Sequence, residues 1–385
     1  MIAMLLLASC GRAPSVGTST SPASSPNAAS SPNQAEVQHA GIWNSVVPVG
    51  LDDPTLSVDH VAIASDGHRI AWSANWVGLT QPSHSFVGIV SLQDGSSPYH
   101  RRLDFDLSGI SLNHDGSQLF IAGNGVRCLD LDGKQLWHVE TDTQFDAVSE
   151  PVAGVLLAAD KQRVLLIDAA TGTLKSTFTS PDHAHTIGDM SLSSDCSRVI
   201  VTSQNTRDEF LSSAPLRNFV YILDAKSLKL LDTLDLAALQ CGFRPDAVSN
   251  DGNQLFVHEN STSHLGECSI ISAIPPGIRK FVTTVPAANM LGGSIFPAFS
   301  DDGRLVYLAG YFDKTARGIP SLSDTLLAFN TGDGTLAQEF NSLPSHHFIT
   351  SARIKPSLDL AVFGVRHKLQ ASGESLIYWT KTTIQ

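Results

Sequence analysis

The sequence has few of the signals that usually disclose a function. It contains no Cys-x-x-Cys pair, so neither a zinc site nor a redox motif is indicated. It also lacks a Gly-x-Ser-x-Gly elbow, a phosphate-binding Gly-x-x-x-x-Gly-Lys-Ser/Thr loop and a His-Glu-x-x-His helix. No short motif therefore assigns the chain to an enzyme class.

Charged residues are sparse and mostly acidic. They make up 16% of the chain, and 37 acidic against 25 basic residues give a formal net charge of −12. No stretch is rich in Lys and Arg. A nucleic-acid-binding protein needs a basic face to displace phosphate counterions. We therefore expect no nucleic-acid partner and no direct attraction to an anionic lipid surface.

The N-terminus is apolar over about ten residues, which is too short to span a bilayer. It ends in Leu-Ala-Ser-Cys and resembles a bacterial lipobox, whose cysteine is lipidated after export. The resemblance predicts a signal peptide over residues 1–10 and lipidation at Cys10; an unlipidated signal or a chance cysteine is the alternative. The usual basic residues before the apolar segment are missing, so the true start could lie upstream of Met1. Gly11 is not the aspartate associated with inner-membrane retention, which favours the outer membrane or the cell surface.

Residues 11–36 are rich in Ser, Pro, Ala, Thr and Asn and have almost no large apolar side chains. Such a segment cannot offset its ordering entropy, so we expect a disordered tether. The alternative is a disordered tail with no anchoring role. We predict one folded domain over residues 37–385. We also expect the protein to be exported, monomeric and lipid-anchored in the bacterial cell envelope.

The remainder of the chain repeats one pattern, in which an apolar alternating run enters a tight polar turn and leaves through a second apolar run. The clearest copy spans Val61 to Trp72, with Asp66-Gly67 at its turn. Asp-Gly between alternating apolar residues predicts a β-hairpin, because glycine supplies the positive φ of the turn. Weaker copies have Cys196 in the glycine position or Glu150 before a proline. The turns fall near residues 66, 115, 150, 195, 251, 302 and 357.

A hairpin that recurs at this spacing predicts a β-propeller, with four strands in each blade. A second hairpin with an acidic turn, such as Asp168 to Gly172, follows several of the first ones. Seven hairpins predict an all-β, seven-bladed β-propeller. The last blade has no residues left for an outer strand, whereas residues 41–49 precede the first blade. We expect this N-terminal strand to complete the last blade and so remove an exposed sheet edge.

The repeats resemble those of YVTN-type and quinoprotein-type (PQQ-like) propellers, whose turns contain Asp-x-x-Thr-Gly. The resemblance covers residues 40–385 and implies architecture only, because enzymes, scaffolds and binding proteins share such repeats. The Gly-His and Trp-Asp signature of WD40 blades is not repeated along the chain. Quinoprotein enzymes generally have eight blades and a tryptophan in most repeats, and here only Trp137 occupies that position.

In a propeller, the segments that lead into the innermost strands surround one mouth of the central channel. Here they contain carboxylates and imidazoles that could bind a divalent cation, orient a polar ligand or supply a general base. The alternative is that the mouth is polar because water fills it. Phe145, Phe243 and Phe348 are expected to pack between blades. The candidate residues are Asp59, His60, Asp146, His183, His185, Asp189, Arg244, Asp246, His346 and His347.

Two function classes remain. The favoured one is a membrane-tethered, non-enzymatic scaffold that binds an envelope protein or a glycan and needs no cofactor. The alternative is a propeller hydrolase of lactonase or esterase type, or an oxidoreductase, with its site at the channel mouth. Resemblance to sugar-lactone hydrolases would imply a calcium ion held by Glu, Asn and Asp, but those ligands cannot be matched residue by residue.

The cysteines after Cys10 give one open possibility. Cys241 and Cys268 flank the first hairpin of the fifth blade and could pair in an oxidising compartment, although spacing alone does not decide this. Cys128 lies in an apolar run and is expected to be a buried thiol. Cys196 lies in a turn and is expected to be more exposed.

Overall fold

The computed structural model describes the chain from the first propeller strand to the last, with gaps. Cys10 and the predicted tether lie outside the described part. The described residues are 44–46, 56, 58–76, 84–181, 185–193, 195–205, 218–236, 243–259, 265–272, 279–286, 295–313, 322–340, 343, 347–367 and 375–381.

These residues form strands, the turns that join them and a 3-10 turn at Pro356–Leu358. The strands are β1 (Asn44–Val46), β2 (Val58–Ile63), β3 (Arg69–Trp76), β4 (His84–Ser91), β5 (Tyr99–Leu103), β6 (Gly109–Leu112), β7 (Gln118–Asp130), β8 (Gln135–Val148), β9 (Val155–Asp160), β10 (Arg163–Asp168), β11 (Leu174–Thr179), β12 (His185–Leu192), β13 (Arg198–Asn205), β14 (Phe219–Asp224), β15 (Leu230–Asp235), β16 (Phe243–Val248), β17 (Gln254–Glu259), β18 (Leu265–Ser272), β19 (Arg279–Pro286), β20 (Phe296–Phe299), β21 (Leu305–Asp313), β22 (Leu322–Asn330), β23 (Leu336–Glu339), β24 (His347–Lys355), β25 (Leu360–His367) and β26 (Ser375–Lys381).

The strands pair antiparallel in six sheets, and the expected all-β fold is confirmed. Four sheets follow chain order, namely β2-β3-β4-β5, β12-β13-β14-β15, β16-β17-β18-β19 and β20-β21-β22-β23. A fifth has the order β1-β26-β25-β24, and the sixth contains β6 to β11 in sequence. Strands that follow one another along the chain and pair as neighbours are typical of propeller blades.

The six-stranded sheet contains two blades, by our division. The first half of β7 pairs with β6, whereas its second half pairs with β8. Leu119 and Leu129 nevertheless belong to one apolar cluster, although ten residues of straight strand would separate them by about 33 Å. The chain must therefore fold back between them, at Gly123 to Gly125. Strand β8 likewise pairs first with β7 and then, from Phe145 onward, with β9. On this division the described strands fall into seven groups of four, whereas the count of seven blades itself stays a prediction.

The core lies between the blades. Successive residues of an inner strand point to opposite faces of its sheet, and both faces are covered. Val164 and Leu166 of β10 pack toward the fourth blade, whereas Leu165 and Ile167 pack toward the second. Seven apolar clusters form in this way, one between each consecutive pair of blades. By contrast, only Phe178 is buried in the outer strand β11.

The N-terminal strand completes the last blade, as predicted. Strand β1 pairs antiparallel with β26, so that Asn44 lies opposite Trp379 and Val46 opposite Ile377. It thereby takes the outermost position in the sheet that begins with β24. The two ends of the described chain are thus joined in one blade, and the edge of β26 is covered.

The predicted hairpin turns are present. Gly67, Gly116, Gly252 and Gly303 have φ between 66° and 71°, as their Asp-Gly turns require. The third blade departs from the prediction, because its positive φ values fall at Ala153 and Gly154 rather than at the Glu-Pro pair. A bridge between Val152 and Val155 closes that wider turn.

Trp137 joins the second blade to the third. Its indole Nε1 donates a hydrogen bond to the carbonyl oxygen of Ala169, at 3.1 Å. Its ring lies over Gly172, where an added Cβ would come within 2.7 Å of the ring. Gly172 also has φ of 71°, so both the turn and the tryptophan contact require glycine there.

Candidate functional site

The innermost strand of every blade lines one central channel. Strand β2 packs between β24 and β6, β6 packs on β8, and β12, β16 and β20 follow in order back to β24. Residues of all seven strands surround a cavity of about 530 Å³. We call the end at which these strands begin the N-terminal mouth and the end at which they finish the C-terminal mouth.

The innermost strands are bulged near the N-terminal mouth. In β2 the pairing moves from Val58–Ala74 to His60–Ser73, which leaves Asp59 as the extra residue. The same shift of pairing makes Asp146 the unpaired, additional residue of β8 and Asp246 that of β16. In β12 it places Gly188 and Asp189 opposite one residue of β13. Bulges redirect side chains at barrel rims and beside binding sites, and here four of them contain an aspartate.

Residues of five blades, namely the first three and the last two, line a smaller cavity at this mouth. Its volume is about 140 Å³. It brings together three of the predicted residues, Asp59, His60 and Asp146, with Arg353 of the last blade. The sequence did not single out Arg353, because it lies within an apolar strand near the end of the chain. Phe296, the first residue of β20, also lines this cavity.

Gly109 allows β6 and β8 to approach each other at this mouth. A Cβ on Gly109 would lie 3.2 Å from the Cα of Ala147 and 3.4 Å from the carbonyl oxygen of Asp146. Both contacts are with backbone, which cannot turn aside as a flexible side chain can. A larger residue would therefore push the bulge that contains Asp146 away from the first two blades.

Asp59 and His60 are held in place by the first blade. The backbone N–H of Asn75 donates to the Asp59 carboxylate at 2.8 Å, and the Asn75 amide donates in turn to the Leu107 carbonyl at 2.7 Å. Burial, and to a lesser extent the charge of Arg353, lowers the pKa of His60 from 6.5 to about 4. At neutral pH the imidazole is consequently uncharged, and it is a weak general base.

Asp146 and Arg353 give the mouth charges of both signs. Partial burial raises the pKa of Asp146, while the charge of Lys161 acts in the opposite direction. Arg353 is exposed and forms no ion pair with any residue that the structure describes. It lines both the small cavity and the main channel. The mouth can therefore hold a polar partner that offers both donors and acceptors.

The remaining predicted residues are only partly described. His185, Asp189, Arg244, Asp246 and His347 occupy positions in β12, β16 and β24, and only these strand positions are described. His183, His346 and Cys241 lie outside the described residues, and Cys268 is placed only as a residue of β18. The disulfide stays a prediction. Cys128 is buried and Cys196 is partly exposed, as expected.

The C-terminal mouth has an ion pair that crosses it. Lys355 Nζ of the last blade lies 2.6 Å from Glu150 Oε2 of the third blade. The Ser65 hydroxyl of the first blade donates a hydrogen bond to the same carboxylate. All three residues line the channel. Bonded side chains from three blades thus span the C-terminal mouth.

Within the described residues, no group of three or more His, Cys, Asp or Glu side chains is arranged to hold a metal ion. No helix among them is both long and apolar enough to cross a membrane. The lipid anchor on Cys10 stays a prediction, and calcium stays only what the hydrolase alternative would imply.

Solved structures that resemble this chain are β-propellers. The Cps50 (Swd1) β-propeller domain of Myceliophteria thermophila is 14% identical, with a TM-score of 0.57 over 88% of this chain and 99% of that chain. A chain of a mitotic checkpoint complex is 15% identical, with a TM-score of 0.58 over 95% and 98%. The WD40 domain of Toxoplasma gondii coronin is 10% identical, with a TM-score of 0.58 over 91% and 88%.

Hydrazine synthase of Kuenenia stuttgartiensis also matches, at 11% identity and a TM-score of 0.57 over 82% of this chain and 94% of that chain. No family model and no curated protein matches the sequence. At these identities the likeness shows the fold alone: the chain is a β-propeller, a fold that enzymes and binding proteins share.

Proposed function

We propose that the protein is a non-enzymatic scaffold of the bacterial cell envelope, tethered through a lipid on Cys10, whose N-terminal mouth docks a partner protein. The observation that carries the proposal is the ring of bulged inner strands at that mouth. It presents Asp59 and Asp146 beside Arg353, whose guanidinium forms no ion pair with a described residue. A neighbouring protein can meet such a surface with its own charged and polar side chains.

The chemistry of the mouth favours binding over catalysis. The pKa of His60, at about 4, leaves it uncharged but poorly suited to remove a proton at neutral pH. Asp59 is already engaged by the backbone of Asn75. Preorganised side chains of this kind contribute to specific recognition, because little entropy is lost when a partner binds. The anchor and the tether would hold the mouth away from the membrane.

The test is chemical crosslinking in native envelopes followed by capture of the full-length protein. Two variants make the same charge change at opposite ends of the channel. Asp146→Arg alters the N-terminal mouth, and Asp301→Arg alters an exposed residue that lines the C-terminal mouth. We expect a stoichiometric partner to be lost from Asp146→Arg and retained by Asp301→Arg.

A Cys10→Ala variant tests the tether separately. It should leave the membrane fraction and lose the partner in cells, yet bind the isolated partner in solution. Loss of the partner from Asp301→Arg alone would move the interface to the C-terminal mouth. Recovery of the bait without any stoichiometric partner would overturn the scaffold proposal.

A further inference from the structure

A second concave surface lies away from the channel, between the first and second blades. It has a volume of about 500 Å³, which is within the usual range for a small-molecule site. Its apolar floor is formed by Leu103, Ile121 and Leu129, which belong to the cluster between these blades. We call this surface the interblade groove.

The charged residues that line the groove are all cationic. They are Arg101 of β5, Arg127 of β7 and Lys134 of the turn before β8. No carboxylate is among the described residues that line it. The chain as a whole has a net charge of −12, so this grouping of positive charge runs against its composition. A basic groove over an apolar floor selects an anion that also has apolar surface.

Arg127 is positioned to bind such an anion. Its guanidinium carbon lies 4.1 Å from the centre of the Phe105 ring, a cation–π contact that orients the planar group. It makes no hydrogen bond or ion pair with a described residue; Glu140 affects it only electrostatically. Burial lowers the pKa of Arg127, which shows that its charge has lost part of its hydration. A ligand carboxylate would supply the missing hydrogen bonds.

Arg101 fixes one side of the same groove. Its Nη1 donates to the carbonyl oxygen of Gly133 at 2.9 Å, which ties the outer strand of the first blade to a turn of the second. Because a guanidinium has five N–H donors, Arg101 keeps donors available while it holds this bond. Lys134 is exposed at the rim.

We propose that the interblade groove binds a small monocarboxylate with an apolar body. Arg127 holds the carboxylate, Arg101 and Lys134 add positive charge, and the apolar body covers Leu103 and Leu129. This site is separate from the N-terminal mouth and does not depend on the scaffold function.

Isothermal titration of octanoate into the purified full-length protein tests the proposal. Three compounds serve as controls. Octanol has the same alkyl chain but no charge, octyltrimethylammonium has the same chain with a positive charge, and acetate has the carboxylate without the long chain. We expect octanoate to bind at least tenfold more tightly than each of the other three. Arg127→Gln should weaken octanoate binding at least tenfold, and Lys134→Gln should weaken it less.

The matched control is Arg198→Gln. Arg198 is also partly buried, but it lies in the fourth blade and donates to Asn253 at 3.2 Å. The Arg198→Gln variant should bind octanoate with the same affinity as the unchanged protein. Absence of octanoate binding, equal binding of octanol or acetate, or full binding by both folded groove variants would overturn the proposal. Thermal unfolding establishes that each variant is folded. If Arg127→Gln does not fold, Lys134→Gln still tests the groove, because its side chain is exposed.

Discussion

At the scale of single residues, the hairpin turns depend on one backbone conformation. Gly252 has φ of 68° in its turn, and Cys196 occupies the equivalent place in the preceding blade with φ of 53°. The turn bond is the same in both, because the N–H of each residue donates to a serine carbonyl three positions earlier at 2.8 Å. A side chain in this conformation costs about 1–2 kcal/mol, which glycine avoids.

Cys196→Gly should therefore stabilise the fold by about 1 kcal/mol, since the strain of the left-handed conformation exceeds the entropy that glycine adds to the unfolded chain. Urea unfolding of the purified domain measures the change. The reverse substitution, Gly252→Cys, should destabilise by a similar amount. Destabilisation by Cys196→Gly would show that the cysteine side chain contributes more than its conformation costs.

His60 at the N-terminal mouth should titrate far below an ordinary histidine. Its pKa is about 4 in the folded protein, whereas an ordinary histidine has a pKa of 6.5, so the unfolded chain binds the proton more readily between these limits. The contribution of neutral His60 to the free energy of unfolding is thus fully present above pH 6.5, and it is lost as the pH falls toward 4. NMR titration of the His60 imidazole should give a midpoint near 4.

Arg353→Gln should raise that midpoint only in part, because burial is the larger cause of the shift. Arg304→Gln, at an exposed residue of a remote turn, is the charge-matched control and should leave it unchanged. A midpoint near 6.5 in the unchanged protein would mean that the imidazole is hydrated rather than buried.

At the scale of elements, two of the three first-hairpin turns that lack Asp-Gly contribute side chains that meet across the channel. The turn after β8 supplies Glu150, and the end of β24 supplies Lys355, just before the 3-10 turn. Both segments contain a proline, Pro151 or Pro356, and lack the Asp-Gly pair found in the turns of other blades. We infer that these two irregular turns serve the ion pair that spans the C-terminal mouth.

A double-mutant cycle measures this ion pair. Glu150→Gln and Lys355→Met should each destabilise the fold, with a coupling energy of about 1 kcal/mol in urea unfolding, since both side chains are partly buried. The more exposed pair of Lys175 and Asp168, at 2.9 Å, is the control and should couple more weakly, because solvent screens its charges. Equal coupling in the two cycles would show that the channel position adds nothing.

The hairpins were predictable from the sequence, whereas the site was predictable only in part. An Asp-Gly turn such as Asp66-Gly67 is a local signal, because φ is set by the residue itself. The bulge at Asp59 depends on its register with β3, which a single strand does not encode. Arg353 joins Asp59 and Asp146 only because the ring closes, and nothing near Arg353 in sequence indicates that contact. The interblade groove was missed for the same reason, since β5 and β7 contribute to it from different blades.

At the scale of the whole molecule, the ring is closed by packing and by hydrogen bonds between the first and last blades. Leu56, Val58 and Trp72 pack against Leu360 and Val362. The Ser351 hydroxyl of β24 also donates to the carbonyl oxygen of Val58 at 3.3 Å. Because the channel is lined by every inner strand, both mouths depend on this closure. Binding at the N-terminal mouth should therefore report on the integrity of the whole ring.

Removal of β1 should weaken that closure. A chain that begins at residue 51 loses the pairing of Asn44, Ser45 and Val46 with β26, and each lost inter-strand hydrogen bond removes about 1 kcal/mol. We expect a fall of about 2 kcal/mol in the free energy of unfolding, together with self-association through the uncovered edge of β26. Urea unfolding and light scattering measure the two effects. A chain that begins at residue 37 keeps β1 and should match the full-length protein in both. If the shorter chain instead stays monomeric with unchanged stability, the last blade does not need its fourth strand, and closure rests on the apolar cluster between the first and last blades alone.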